Sequence, residues 1–202
     1  MSIETTNTIE DSSDESVVDK RKAREVKDKI ITARIGLLLR HSWFGNMATR
    51  LRIINADGWC PTAATNGRDL YYNTEFFSKL SIQNVEFVIA HEILHCVFDH
   101  FTRRLDRNPM LHNIACDYIV NNLLVSEKIG EVPTEPKIYI DSKYNGYTSE
   151  EVYDDLFAKG EEQLKMMGEL LDEHIDWSDG TNTADGKGGA PALSEEEQRQ
   201  IS

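Results

Sequence analysis

The sequence predicts an α+β fold: an N-terminal helix and a small antiparallel sheet of about three strands, followed by two long helices. Three observations carry that expectation. Val85, Val88, Ile89, Ile93, Val97 and Phe101 keep helical spacing. A second helical run opens on Asn108-Pro109, a capping residue followed by the residue best suited to a first turn. Ahead of both, short runs are separated by Asp57-Gly58 and Asn66-Gly67, pairs that tolerate positive φ at a tight hairpin.

The elements follow in order. From about Val17 to Arg40, six Lys and Arg residues precede Ile30, Ile31, Ile35, Leu37 and Leu38, the pattern of a helix with a wet basic half. Strands are expected over Ala48 to Ile54, Cys60 to Thr65 and Arg68 to Tyr72 as an antiparallel meander. Ser81 can cap the next helix, with Leu80 and Val85 as its hydrophobic staple, and helical spacing continues to about Arg104. The helix from Asn108 runs to about Glu127, before Gly130. Val132, Pro133 and Pro136 mark an extended loop, with a strand expected at Lys137 to Ile140. Thr148-Ser-Glu-Glu151 is a capping box for a third helix through about Lys159, resuming toward Leu171.

The chain has 202 residues and a formal net charge of −13, with 40% hydrophobic residues, enough for one globular domain. Residues 1–16 are polar and acidic and are expected to be a disordered tail. Residues 17–172 form the folded domain, and 173–202 read as an acidic flexible linker ending in the start of a helix. Ser194-Glu-Glu-Glu197 caps that start, and the chain stops soon after, which points to a longer parent protein. From Glu150 onward lie 15 of the 35 acidic residues but 4 of the 22 basic ones, so the acidity belongs to the C-terminal quarter. This sign argues against a nucleic-acid binder, although Arg50, Arg52, Arg103, Arg104 and Arg107 could form a local basic patch. No apolar run approaches the ~18 residues of a membrane span. The acidic N-terminus is not a secretory signal. Cys60, Cys96 and Cys116 are odd in number and lack framework spacing, and read as free thiols of a reducing cytoplasm.

Chemistry enters at His91-Glu92-Ile93-Leu94-His95. A helix turns about 100° per residue, so the two imidazoles point the same way and can bind one ion. Glu92 stands beside the first ligand, where a carboxylate can reach water without binding the metal. Two His ligands, a Glu base and an open position are the zinc-hydrolase pattern. A third ligand is needed. His100, nine residues past His91, lies half a turn off the ligand face, and Phe98 stands where metzincins have the Gly that ends their helix. His100 therefore reads as a packing or supporting residue. Asp99 could orient an imidazole from outside or simply be solvated. Asp117 is the better ligand, because its helical neighbours Met110, Ile114, Val120 and Leu124 are apolar and a buried acid needs a partner. Asn113 and Asn121, one turn either side, could hold its carboxylate or form a solvent stripe. His112 lies about 140° from Asp117 on that helix, so the two cannot serve one site. Cys96 and Cys116 read as small core residues.

The helix-borne His-Glu-x-x-His with a carboxylate on the next helix resembles the zincin metallopeptidases, on the gluzincin-like or aspzincin-like side. Ala64-Thr-Asn-Gly-Arg-Asp-Leu-Tyr-Tyr-Asn73, Ala90-His-Glu-Ile-Leu-His95 with His100, Asn113-Ile-Ala-Cys-Asp-Tyr-Ile-Val-Asn121 and Ser149-Glu-Glu-Val-Tyr153 resemble one bacterial and phage family more closely. That is the metallopeptidase family whose longer members add a von Willebrand A-like domain. The similarity covers roughly residues 25–175. It implies a zincin-like fold over 17–172 and a cytoplasmic zinc peptidase working beside an AAA-type ATPase. His91, His95 and Asp117 match its metal positions, and Glu92 its general base. Asp99 stands where the family often has a small residue, and the von Willebrand-like half is missing. The expected reaction is peptide-bond hydrolysis by a metal-activated water, on protein or peptide substrates. An edge strand, Cys60–Thr65 or Arg68–Tyr72, would receive the extended substrate. Tyr118, Tyr139, Tyr144 and His112 are open candidates for the oxyanion donor. The alternative is a metal-stabilised, non-catalytic module that docks to a partner such as the ATPase.

Overall fold

The structure, a computed structural model, describes residues 10–160. The expected continuation toward Leu171 and the acidic segment 173–202 lie outside the described residues. The architecture is α+β, with α1 (Glu10–Arg40), α2 (Ser42–Arg50), β1 (Arg52–Asn55), β2 (Ala63–Thr65), β3 (Asp69–Tyr72), α3 (Thr74–Lys79), α4 (Ile82–Val97), α5 (Pro109–Ser126) and α6 (Ser149–Ala158). No described helix is long and apolar enough to cross a membrane.

α1 begins at Glu10, inside the stretch expected to be a tail. Val26, Ile30, Ala33 and Leu37 form the buried stripe of α1, packed on α2, α3 and α4. Lys29 ties the stripe to the end of α3 by donating to the carbonyls of Phe77, Ser78 and Leu80. The Phe77 carbonyl also accepts from Leu80 N at the C-cap, and Lys29 serves the other carbonyls at this helix end as well. Arg40 pairs with Glu86, which α4 buries, and Gly36 leaves the room that this pair occupies.

Residues 48–50 are helical rather than the start of a strand. Gly45 and Ala48 form the buried face of α2, and a Cβ at Gly45 would run into the backbone of Leu37 and Leu38. The helix forms here because its small face lets the α1 and α2 backbones cross at contact.

The three strands are present, but the expected antiparallel meander is corrected to a mixed sheet of order β1-β3-β2. β3 runs parallel to β1 and antiparallel to β2. The Asn66-Gly67 hairpin joins β2 to β3, with Gly67 at φ 83° and Asn66 Oδ1 accepting from the main-chain N of Arg68 and Asp69. Asp57-Gly58 makes a turn without pairing β1 to β2. The deciding interaction is non-local. Asp69 is buried, and Arg52 at the start of β1 grips both of its carboxylate oxygens. A buried carboxylate without that partner is costly, so β1 lies beside β3.

Ser81 caps α4 as expected, in a reciprocal box with Asn84. The helix stops at Val97, however, and not near Arg104. Asp99 turns left-handed at φ 54°, its N–H donates to Cys96 O, and the His100 N–H donates to His95 O. These two bonds are the Schellman pattern, with Asp99 in the place usually given to glycine. Asn108 caps α5 and Thr148 caps α6, both at the expected positions. The strand expected at Lys137 to Ile140 does not form. Its backbone is paired by side chains instead: Asn121 donates to Tyr139 O, Asn122 donates to Asp141 O, and Asp141 N donates to Asn122 Oδ1. α5 therefore has two buried sides. One meets α4 in the main core, and the other meets α6 through Leu111, Ile114, Ala115, Val152 and Leu156.

Candidate metal centre

His91 and His95 stand one turn apart on α4, and α5 crosses the same face, bringing in Asp117. His95 Nε2 lies 3.0 Å from His91 Nε2. Asp117 Oδ1 lies 3.2 Å from His95 Nε2 and 3.5 Å from His91 Nε2. All three donor atoms fall within 4.8 Å of one another, a group able to hold a metal ion. The side chains of His95 and Asp117 are 3% and 6% exposed, whereas that of His91 is 12% exposed, so the cluster opens on the His91 side.

Each imidazole has a partner at its other nitrogen. His91 Nδ1 lies 2.9 Å from Asn121 Oδ1. The same amide donates through Nδ2 to Tyr139 O, which fixes the amide's orientation and makes Oδ1 the acceptor. His91 therefore carries its proton on Nδ1 and turns Nε2 to the cluster. Asn121 serves an imidazole, and not the carboxylate of Asp117 as its spacing suggested. His95 Nδ1 lies 3.2 Å from His100 Nδ1. The half-turn offset expected of His100 holds for a continuous helix, but the Schellman turn ends α4 first and folds His100 back beneath His95. Its ring meets the nitrogen facing away from the cluster, so His100 supports a cluster residue without joining the donor group. Asp99 is exposed and its carboxylate accepts from the Thr102 hydroxyl, with no bond to an imidazole shown.

Glu92 is 3% exposed. It lines one groove together with His91, with Thr62 and Ala63 at the sheet edge, and with Pro133 and Ile138 of the loop after α5. Of the two proposed edge strands, Arg68–Tyr72 is the central strand and has no free side. β2 is the edge. Asn73 N donates to Thr62 O and Asn66 N to Asp69 O. Antiparallel pairing alternates, so the main-chain groups of Thr62, Ala64 and Asn66 face β3 and those of Ala63 and Thr65 point away from it, on residues that are buried.

The oxyanion candidates separate by environment. Tyr144 is buried between α5 and α6 and donates to Asp155. His112 is 2% exposed and sits against Cys116 Sγ at 3.6 Å. Tyr118 packs its ring on Tyr139 and Tyr144. Tyr139 is buried within reach of the Asp117 charge. Burial, Tyr118 and that charge push its phenol up to about 12, so it stays protonated. Cys96 is pushed up to about 12 by burial and by Glu92, and Cys116 is also raised by burial, which keeps both as inert thiols.

His112 adds an acid-sensitive element. Burial, with Arg107 adding to it, takes His112 from 6.5 down to about 4. Between those values the unfolded chain binds more protons than the folded one, so stability falls as pH falls through that window. Urea midpoints measured from pH 7 to pH 5 are expected to decline in the wild type and to decline less in His112→Gln. Equal slopes would place the acid sensitivity elsewhere.

Of the expected set, His91, His95 and Asp117 come together as one donor group, and Glu92 lines a groove that His91 also borders. Asn121 and the Tyr139 carbonyl were missed as supports of His91. The spacing of Asn113, Asp117 and Asn121 by four shows that they share a face, and that was the available signal. Neither the curated proteins nor the solved structures include a match to the chain. A family model described as "Putative metallopeptidase domain" matches residues 25–201, which takes in the whole cluster and most of the chain. With that match and a His-His-Asp group able to hold the metal such a peptidase needs, the chain belongs to this metallopeptidase family.

Proposed function

We propose that the protein is a zinc-dependent peptidase in which His91, His95 and Asp117 hold the ion and Glu92 is the general base. The observation that carries the reading is the shape of the donor triangle. Its edges are 3.0, 3.2 and 3.5 Å. Ligands at zinc distances in a tetrahedron stand about 3.3–3.4 Å apart. Two neutral imidazoles and a carboxylate suit zinc, and three protein ligands leave a position open, the mark of a catalytic site. The ion supplies a Lewis acid for the scissile carbonyl and lowers the pKa of water toward 7.

The chain's own residues do the rest. Thr62 and Ala63, at the sheet edge, border the groove that leads to His91 and Glu92, and an extended peptide lying along it would bring its carbonyl to them. Glu92 takes a proton from the attacking water and passes it to the departing amine. The buried setting of Glu92 keeps bulk water from competing for that proton. Asn121 holds His91 in the tautomer that faces the ion.

The test is reversible metal removal. The purified chain should contain about one zinc per molecule and cleave an unfolded protein substrate. Dialysis against a chelator should abolish cleavage, and added zinc should restore it. Stoichiometric zinc with no cleavage of any unfolded substrate would favour the docking module instead.

A further inference from the structure

We propose that His100 is a positioning residue, whose Nδ1 lone pair holds the proton of His95 on Nδ1 and so leaves His95 Nε2 free for the ion. The inference rests on the metal centre proposed above and adds a residue to it. The two Nδ1 atoms are 3.2 Å apart, so a single hydrogen is shared between them. Suppose that His100 donates it. The neutral His95 ring then carries its proton on Nε2, the atom that faces His91 and Asp117, and has no lone pair to offer there. Suppose instead that His95 donates. Nε2 is then free, and His100 keeps its own proton on Nε2. Only the second arrangement can hold a cation.

The two imidazoles of the centre are therefore supported in different ways. The partner of His91 is an amide oxygen, which can only accept. The partner of His95 is another imidazole, which can accept or donate, so the tautomer of His100 decides whether the centre is competent. The backbone makes the contact durable. His100 is 4% exposed, and its main-chain N–H donates to the carbonyl of His95 itself, so ring and backbone are anchored to the same residue. Phe98 at 5.4 Å and His112 at 6.4 Å, between ring centroids, flank the His100 ring.

Two measurements on the full chain with zinc as the probe test the proposal. Long-range proton–nitrogen NMR spectra of the zinc-loaded wild type should show His95 protonated at Nδ1 and His100 protonated at Nε2. A His100 proton on Nδ1 would overturn the proposal without any mutation. The second measurement is zinc affinity by competition with a chromogenic chelator. His100→Leu removes the acceptor and should weaken binding by about 10–100-fold, the usual cost of losing a group that orients a ligand. His100→Asn places Oδ1 where Nδ1 stood and should return the affinity close to wild type. Equal affinity in wild type and His100→Leu, or equal weakness in His100→Leu and His100→Asn, would each overturn the proposal. Failure of the centre itself has a different signature: wild type that takes up no zinc, or Asp117→Ala that binds it as tightly as wild type.

Discussion

Glu92→Gln is expected to reduce peptide hydrolysis by about 10²–10⁴-fold, the range attributed to a positioned general base, while metal content and thermal midpoint stay near wild type. Gln has the shape of Glu and keeps a polar group in a site that is 3% exposed. It lacks the basic oxygen that accepts a proton. Metal content should not change, because Glu92 is outside the donor group formed by His91, His95 and Asp117. On α4 it points about 100° away from its neighbour His91, toward the groove. The experiment compares initial rates on an unfolded protein substrate and zinc per molecule for the two proteins. A variant that loses activity together with its zinc would make Glu92 a ligand or a structural group. One that cleaves at the wild-type rate would place the base elsewhere.

Asp117→Ala is expected to lower zinc affinity by more than about 100-fold, beyond the 10–100-fold that follows loss of an outer support. It removes one of three donors and the only anionic one among them. The consequence extends to stability through binding. A ligand that binds only the folded state stabilises it by about 2.7 kcal/mol at a hundred times its Kd. The wild-type thermal midpoint should therefore rise on adding zinc, and the midpoint of Asp117→Ala should barely respond. The metal-free variant should still fold, because Ala fits beside Ile114, Val120 and Leu124, all fully buried. Two outcomes separate the explanations. Equal zinc uptake by variant and wild type would remove Asp117 from the centre. A metal-free variant that fails to fold would make it a structural carboxylate first.

Local signals carried the helices well. Ser81, Asn108 with Pro109, and Thr148 cap α4, α5 and α6 where the sequence places them, because a cap is satisfied within three or four residues of itself. The same locality explains His91 and His95, since helical geometry alone sets two residues four apart on one face. Asp117 was inferred from cost: a carboxylate among apolar neighbours needs a partner. The misses are the features whose partners are distant in the chain. β1 joins β3 because Asp69 needs Arg52, and α2 is helical because Gly45 lies against α1. Residues 139–141 form no strand because Asn121 and Asn122 pair with their backbone. α4 ends at Val97, short of the expected Arg104, for another reason. Apolar spacing continues past Val97, and Asp99 gives little warning of a left-handed turn that glycine would announce.

Spacing within one helix already sets His91 and His95 on one face and offers Glu92 beside them, because it needs no tertiary information. Packing brings Asp117 on α5 to within 3.2 Å of His95, leaves β2 rather than β3 at an edge of the sheet, and sets His100 and Asn121 each against the outer nitrogen of an imidazole. Those outcomes depend on how elements far apart in the chain pack, and packing is set by burial and buried-charge pairing across the whole core.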